Sequence, residues 1–182
     1  IEEGTYTGWD DPRLPTLAGL KRRGTQASAL RNFWLELGIT QKDISVPLAT
    51  LYSHNTKVID DEAPRLTFVR HAADFTLEGS YPATLDIPVH PNHASMGRRT
   101  WNLADGKICL ESEDLEKMDL RLKEFADVAL HDRAAQIESM ERSDKRPIVH
   151  WLPDRNATEA VLTGTKDNGV FHIEGRLEIN DH

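Results

Sequence analysis

One cysteine is present in the whole chain, Cys109, within Ile108-Cys109-Leu110. A single thiol makes no internal disulfide and supplies no paired-cysteine zinc motif, so the chain reads as a cytosolic protein with one small buried thiol. No apolar run reaches the eighteen or so residues that a bilayer span needs, and Ile1-Glu2-Glu3 has neither the basic start nor the apolar stretch of a secretory signal. A membrane role is not expected on that reading. Gly-rich phosphate loops, Gly-x-Ser-x-Gly elbows and His-Glu-x-x-His helices are missing too, which argues against a self-contained catalytic centre. The chain begins with Ile rather than Met, as a piece of a longer protein would.

What is present is 182 residues, 38% apolar and 29% charged, with a net charge of -8. That composition belongs to a folded chain, and the length suits one large domain or two small ones. A net negative body repels polyanions, yet the charge is unevenly spread. From Pro12 to Leu35 there is no acidic residue, while Arg13, Lys21, Arg22, Arg23 and Arg31 bring five positive charges. A local positive face on a repelling body favours one orientation of a docked nucleic acid. Lys21-Arg22-Arg23-Gly24 also suits an ordinary helix C-terminus, with cations at the negative dipole end and glycine as the cap.

The first third carries helical spacing. Pro15 suits a first turn, Leu17 and Leu20 share a face, and Gly24 stops the run. Leu30, Phe33, Trp34 and Leu37 fall at i, i+3, i+4 and i+7 and predict one apolar stripe closed by Gly38, with Trp34 in the core. A third helix is predicted after Pro47 and ends by Pro64. From residue 65 the period changes to two. Runs at 65–69, 84–87, 107–111, 119–123 and 176–179 alternate apolar with polar, and turn-formers such as Lys166-Asp167-Asn168-Gly169 separate strands. The pattern predicts an α+β chain, predominantly β: a small helical domain over 1–64 and an antiparallel β-barrel or sandwich over 65–182. Residues 124–146 suit strand or helix equally, since Phe125, Val128 and Ala129 fit both spacings.

Alternation at 119–123 predicts Leu120 and Leu122 inside, with Arg121 and Lys123 side by side on the other face, able to grip a phosphate or a base edge. His90-Pro91-Asn92-His93 places two histidines three apart, but Pro91 between them disfavours a helix. The segment is read as a turn-rich loop and no metal site is expected. Adjacent acids such as Asp10-Asp11 are expected to be solvated or to cap a helix start. Of the four tryptophans, Trp101, two residues after Arg98-Arg99, is the one that best suits a ligand-facing role, with core packing at least as good a reading.

The block Gly8-Trp9-Asp10-Asp11-Pro12-Arg13-Leu14-Pro15-Thr16-Leu17, running on to Leu20-Lys21-Arg22-Arg23-Gly24, resembles the stretch after the Lys-Met-Ser-Lys-Ser loop of class I glutamyl- and glutaminyl-tRNA synthetases. The resemblance continues in order through Ala63-Pro64-Arg65, His90-Pro91-Asn92 with Met96-Gly97, Leu120-Arg121-Leu122-Lys123 and Ile148-Val149-His150-Trp151. Asn55 to Arg65 is similar to the archaeal glutamyl type, whose anticodon-binding part is a β-barrel shared with glutaminyl enzymes.

The resemblance implies that residues 1–64 are stem-contact helices with Arg13, Lys21, Arg22, Arg23 and Arg31 on tRNA phosphates. It implies that Arg65, Asn92, Arg121 and Lys123 contact the anticodon, Lys123 standing where relatives have Arg and offering a point charge rather than a bidentate fork. The implied parent is a cytoplasmic ligase that joins glutamate to tRNA(Glu), with tRNA(Gln) left open as a second partner, using ATP and Mg²⁺. Neither DNA nor membrane is an implied partner. A glutaminyl-tRNA synthetase portion and a non-catalytic tRNA-binding module are the alternatives. The His-x-Gly-His and Lys-Met-Ser-Lys-Ser signatures are absent. The ATP and glutamate sites are therefore expected outside this sequence, and no catalytic residue or bound cofactor is expected within it. Asp181-His182 is expected to precede the closing strands of the barrel.

Overall fold

The computed structural model describes residues 6–38, 45–143, 145–166 and 169–179. Asp167 and Asn168 of the expected turn, and Asp181-His182, lie outside the described residues. Two compact units divide the chain: residues 1–63 with 164–171, and residues 64–163 with 172–182.

Among the described residues the first unit holds three helices: α1 Leu17–Arg22, α2 Ala27–Leu37 and α3 Leu48–Ile59. Thr16 caps α1, its hydroxyl accepting the Gly19 amide at 2.9 Å, so Pro15 precedes the cap instead of standing in the first turn. Gly24, at φ 85°, ends α1, with the Gly24 amide donating to the Lys21 carbonyl and the Thr25 amide to the Leu20 carbonyl. Leu20, Phe33 and Leu51 form the centre, packed against Leu30, Leu37 and Val46. Trp34 is a correction to the expected stripe: it is 61% exposed, touching Phe33 only edge-on at 5.5 Å between ring centroids. The core arc is centred on Ala29 and Phe33, and a residue one step past Phe33 turns 100° away from it.

Asp11 organises the loop before α1. It is 1% exposed and accepts the Thr7 amide at 3.0 Å, the Arg13 amide at 2.9 Å, and Arg13 Nε and Nη2 at 2.9 and 2.7 Å. This corrects the expectation of a solvated or helix-capping acid, because five donors converge where only an ionised carboxylate satisfies them. The Arg13 guanidinium foremost, then the Thr7 amide, hold the carboxyl well below the usual carboxylate range. The loop presses on α1 at Gly19, where a Cβ would stand 2.5 Å from the Leu14 carbonyl oxygen and 2.7 Å from that of Asp11.

Among the described residues twelve strands follow: β1 Phe68–Arg70, β2 Ala72–Glu78, β3 Thr84–Pro88, β4 Arg98–Asn102, β5 Lys107–Glu111, β6 Asp119–Leu122, β7 Asp127–His131, β8 Ala134–Ser139, β9 Ile148–Val149, β10 Trp151–Pro153, β11 Ala157–Lys166 and β12 Gly169–Glu178. Seven of them form one barrel-like sheet in the order β10-β5-β2-β8-β7-β6-β9. The chain is α+β and predominantly β, and the sheet is not antiparallel throughout, because β2 pairs with β8 and β6 with β9 in parallel. Segment 124–146, open in the sequence, holds strands β7 and β8. Positive φ at Glu124 (62°) and Asp132 (52°) breaks the helical option at both ends of β7. The core gathers Phe75, Leu77, Trp101, Leu110, Leu120, Phe125 and Trp151. Trp151 meets Trp101 edge-on at 5.2 Å and stacks on Phe125 at 5.1 Å. Cys109 is buried as expected, and burial pushes its thiol up to about 11.

Gly19→Ala places a methyl against two backbone carbonyls that cannot turn aside. The expected outcome is a loss of about 1–3 kcal/mol in the helical unit, read by denaturant melts. A change below about 0.5 kcal/mol would show that loop and helix are not in this contact.

Candidate nucleic-acid interface

In the second unit, the strands β3 and β4 pair with Ile87 opposite Arg99 and Pro88 opposite Arg98. The loop joining them returns through Gly97, at φ 80°, whose carbonyl accepts the Val89 amide at 3.1 Å. His90 is buried in this loop and its Nδ1 accepts the Asn92 amide at 3.1 Å, which leaves Asn92 exposed at the bend. His90 and His93 meet edge-on at 4.5 Å, so the segment is the hydrogen-bonded turn that Pro91 foretells. Among the described residues, no three His, Cys, Asp or Glu side chains gather as a metal-holding group. Arg65 is drawn to this loop by its amide, which donates to the Val89 carbonyl at 2.9 Å.

A second turn faces the same space. Lys123 and Glu124 lie between β6 and β7, closed by the Phe125 amide on the Leu122 carbonyl at 3.0 Å. The Lys123 amide donates to the Val149 carbonyl at 3.1 Å, and the Trp151 indole donates to the Lys123 carbonyl at 3.0 Å. With its backbone pinned on both sides, Lys123 extends an exposed ammonium that has no partner among the described residues.

Between these walls lies a cleft of about 340 Å³, lined by Arg65, Thr67, Pro91, Trp101, Lys123 and His150 among others. Its size lies within the range of pockets that hold a small ligand, and its apolar floor, with Arg65, Lys123 and the acid Glu124 among the lining residues, suits a flat guest held by mixed polar contacts. The structure thus brings Arg65 and Lys123 to one cleft and sets Asn92 on the adjoining loop. Trp101 is 4% exposed and belongs to the core, contributing to the cleft from below.

Arg121 is elsewhere, which corrects the expected pairing of Arg121 with Lys123 on one outer face. It is 8% exposed and lies opposite Asp127 in the β6–β7 register, with Nη1 3.1 Å from Asp127 Oδ1 and 3.2 Å from the Glu141 carbonyl. The other Asp127 oxygen accepts the Ser143 amide at 3.1 Å. Alternation fails here because a carboxylate on the neighbouring strand and the chain after β8 cover the polar face of β6, so both faces are buried.

Arg99 and Glu178 were missed by the sequence reading and lie at the base of the cleft wall. The Glu178 side chain is fully buried, accepting from Arg99, from the Trp101 indole at 2.8 Å and from the Thr67 amide at 3.0 Å. The only signal for this in the sequence was the Arg98-Arg99 doublet, since Glu178 is 79 positions away.

The helical unit holds the basic island, and its five cations are not equivalent. Arg13 is bound to Asp11 and lies 4.8 Å over the Tyr6 ring. Arg22 pairs with Asp10 at 3.2 Å, and Arg23 donates to the Tyr52 hydroxyl at 2.8 Å. Lys21 and Arg31 are exposed and have no partner among the described residues.

Breaking the Arg121–Asp127 pair from one side leaves a buried carboxylate uncompensated. Arg121→Ala is therefore expected to cost the barrel unit about 3–5 kcal/mol in a denaturant titration. A cost under about 1 kcal/mol would mean that the guanidinium is not internally held.

Two family models match the chain: that of the anti-codon binding domain of class I tRNA synthetases (E and Q) over residues 63–144, and that of the catalytic domain of the same enzymes over residues 1–61. Similar proteins include the glutamate–tRNA ligase of Methanosarcina mazei, 34% identical across 93% of this chain and 33% of its own length. That of Methanosarcina acetivorans is 36% identical across 84% of this chain and 28% of its own. That of Archaeoglobus fulgidus is 33% identical across 99% and 32%. The chain spans about a third of the length of these relatives. With two matched models, ordered motifs and a barrel-like sheet in agreement, the chain belongs to the class I tRNA synthetases of glutamate and glutamine, beside the archaeal glutamate–tRNA ligases.

Proposed function

We propose that this chain is the tRNA-binding and anticodon-recognising portion of a glutamate–tRNA ligase. The observation that carries the reading is the single cleft lined by both Arg65 and Lys123, two cations 58 positions apart in the sequence that alternation alone does not bring together. In this reading an unstacked anticodon base enters the cleft, rests on its apolar floor and meets cations at the rim, as single-stranded loops are generally read. Lys123 contributes a point charge that orients a base carbonyl or phosphate. Asn92 supplies amide donors and acceptors beside it. Arg121 acts from within, holding the β6–β7 turn that presents Lys123.

Residues 1–64, which carry the three described helices, take the stem-contact role in this proposal. Lys21 and Arg31 are its available phosphate contacts, and Arg13, Arg22 and Arg23 contribute to the local field while engaged with Asp11, Asp10 and Tyr52. Residues 65–182 take the anticodon role. The parent, working in the cytoplasm on tRNA(Glu), joins glutamate to the tRNA with ATP and Mg²⁺. The two signatures that would hold ATP are absent from this sequence, so no step of that chemistry is assigned to its residues.

Filter binding of the chain to a tRNA(Glu) transcript, and to the same transcript with a changed anticodon, tests the reading. Lys123→Ala is expected to narrow the preference by about 1–3 kcal/mol, while Lys21→Ala with Arg31→Ala weakens both transcripts alike and lowers the salt slope by about one for each cation. Equal affinity of the unaltered chain for both transcripts would overturn it.

A further inference from the structure

Four donations from one side chain converge on the wall of the cleft. Arg99 Nε donates to Glu178 Oε1, Nη2 to Glu178 Oε2 at 2.8 Å and to the Arg65 carbonyl at 2.6 Å, and Nη1 to the Pro88 carbonyl at 3.1 Å. Glu178 in turn receives the Thr67 amide and the Trp101 indole. Residues 65 and 67 thus hang on one rim of a guanidinium–carboxylate pair and residue 88 on the other, and all of these positions line the cleft except Glu178 itself. We infer that Arg99 and Glu178 are positioning residues for anticodon discrimination: the planar fork sets the separation between the Arg65 segment and the β3 end of the cleft, and so fixes where the Arg65 side chain meets a base. The inference rests on the tRNA-binding reading above.

A merely structural role and a positioning role part company at lysine. A buried carboxylate needs a cation, and Lys supplies one with three donors from a single point. Lys cannot fork onto both Glu178 oxygens while also reaching the Arg65 and Pro88 carbonyls, which lie on different arms of the guanidinium. If Arg99 only neutralises Glu178, lysine replaces it. If the fork sets the wall, lysine keeps the fold and loses the geometry.

The experiment compares Arg99→Met and Arg99→Lys in the full chain by thermal melting and by binding to a tRNA(Glu) transcript and its anticodon-changed counterpart. Arg99→Met is expected to lower the Tm and Arg99→Lys to restore most of it, while the affinity ratio between transcripts falls about tenfold in both. A ratio restored by lysine, or unaffected in both variants, overturns the inference. Should neither variant fold, Glu178→Gln carries the test. It keeps the side-chain shape but turns one acceptor of the fork into a donor facing Arg99, so a flattened ratio supports the inference and an unchanged ratio overturns it. Failure of the underlying reading looks different: the unaltered chain itself would not distinguish the transcripts, and the inference would fall with it.

Discussion

A carboxylate sealed from water must be answered by donors, and Glu178 dictates much of the architecture around the cleft for that reason. Left unpaired, an ion in such a place costs several kcal/mol, so the fold is committed to bringing Arg99, Trp101 and the Thr67 amide to it. Those three partners come from the strand β4 and the segment entering β1, whereas Glu178 ends β12. Satisfying one side chain therefore ties the last strand to the middle of the chain. Burial of Trp101 against Trp151 adds the apolar half of the same junction.

The same economy governs positive charge. Three arginines are used internally: Arg13 and Arg99 fork onto both oxygens of Asp11 and Glu178, and Arg121 reaches one oxygen of Asp127 and the Glu141 carbonyl. Lysines 21 and 123, together with Arg31, remain exposed without partners among the described residues. This division follows from hydration, because a guanidinium sheds water more readily than an ammonium and fits two carboxylate oxygens at once. A net charge of -8 then ceases to conflict with binding an anion. Acids accompany the structural arginines, and the cations left over are the ones that a polyanion would meet.

Much of the fold was legible because local periodicity and turn chemistry are local facts. Gly24 and Gly38 close helical runs, and the alternation at 84–87 and 107–111 gives strands almost residue for residue. Two kinds of failure have one origin in tertiary contact. Trp34 shares the helical spacing of Leu30 and Phe33, but which arc of a helix is covered depends on where its neighbours lie. Arg121 alternates with Leu120 and Leu122, yet the strand beside it carries Asp127 in register and the chain after β8 covers both. Segment 124–146 was ambiguous because Phe125, Val128 and Ala129 satisfy either period, and only the positive φ at Glu124 and Asp132 decides. Of the residues that line the cleft, Arg65 and Lys123 are the two that the ordered motifs single out. Arg99 and Glu178 stayed hidden, since a contact 79 positions apart leaves no local pattern.

The central claim is that RNA meets this chain at the Arg65 and Lys123 cleft while Arg121 is held inside. Hydrogen exchange of the chain with and without an anticodon stem-loop of tRNA(Glu) reads that distinction directly. The account predicts new protection at the amides of residues 65–67, 89–90, 92–93 and 122–125, with the amides of β7 and β8 unchanged. Protection spread evenly over the chain, or missing from those segments, would contradict it.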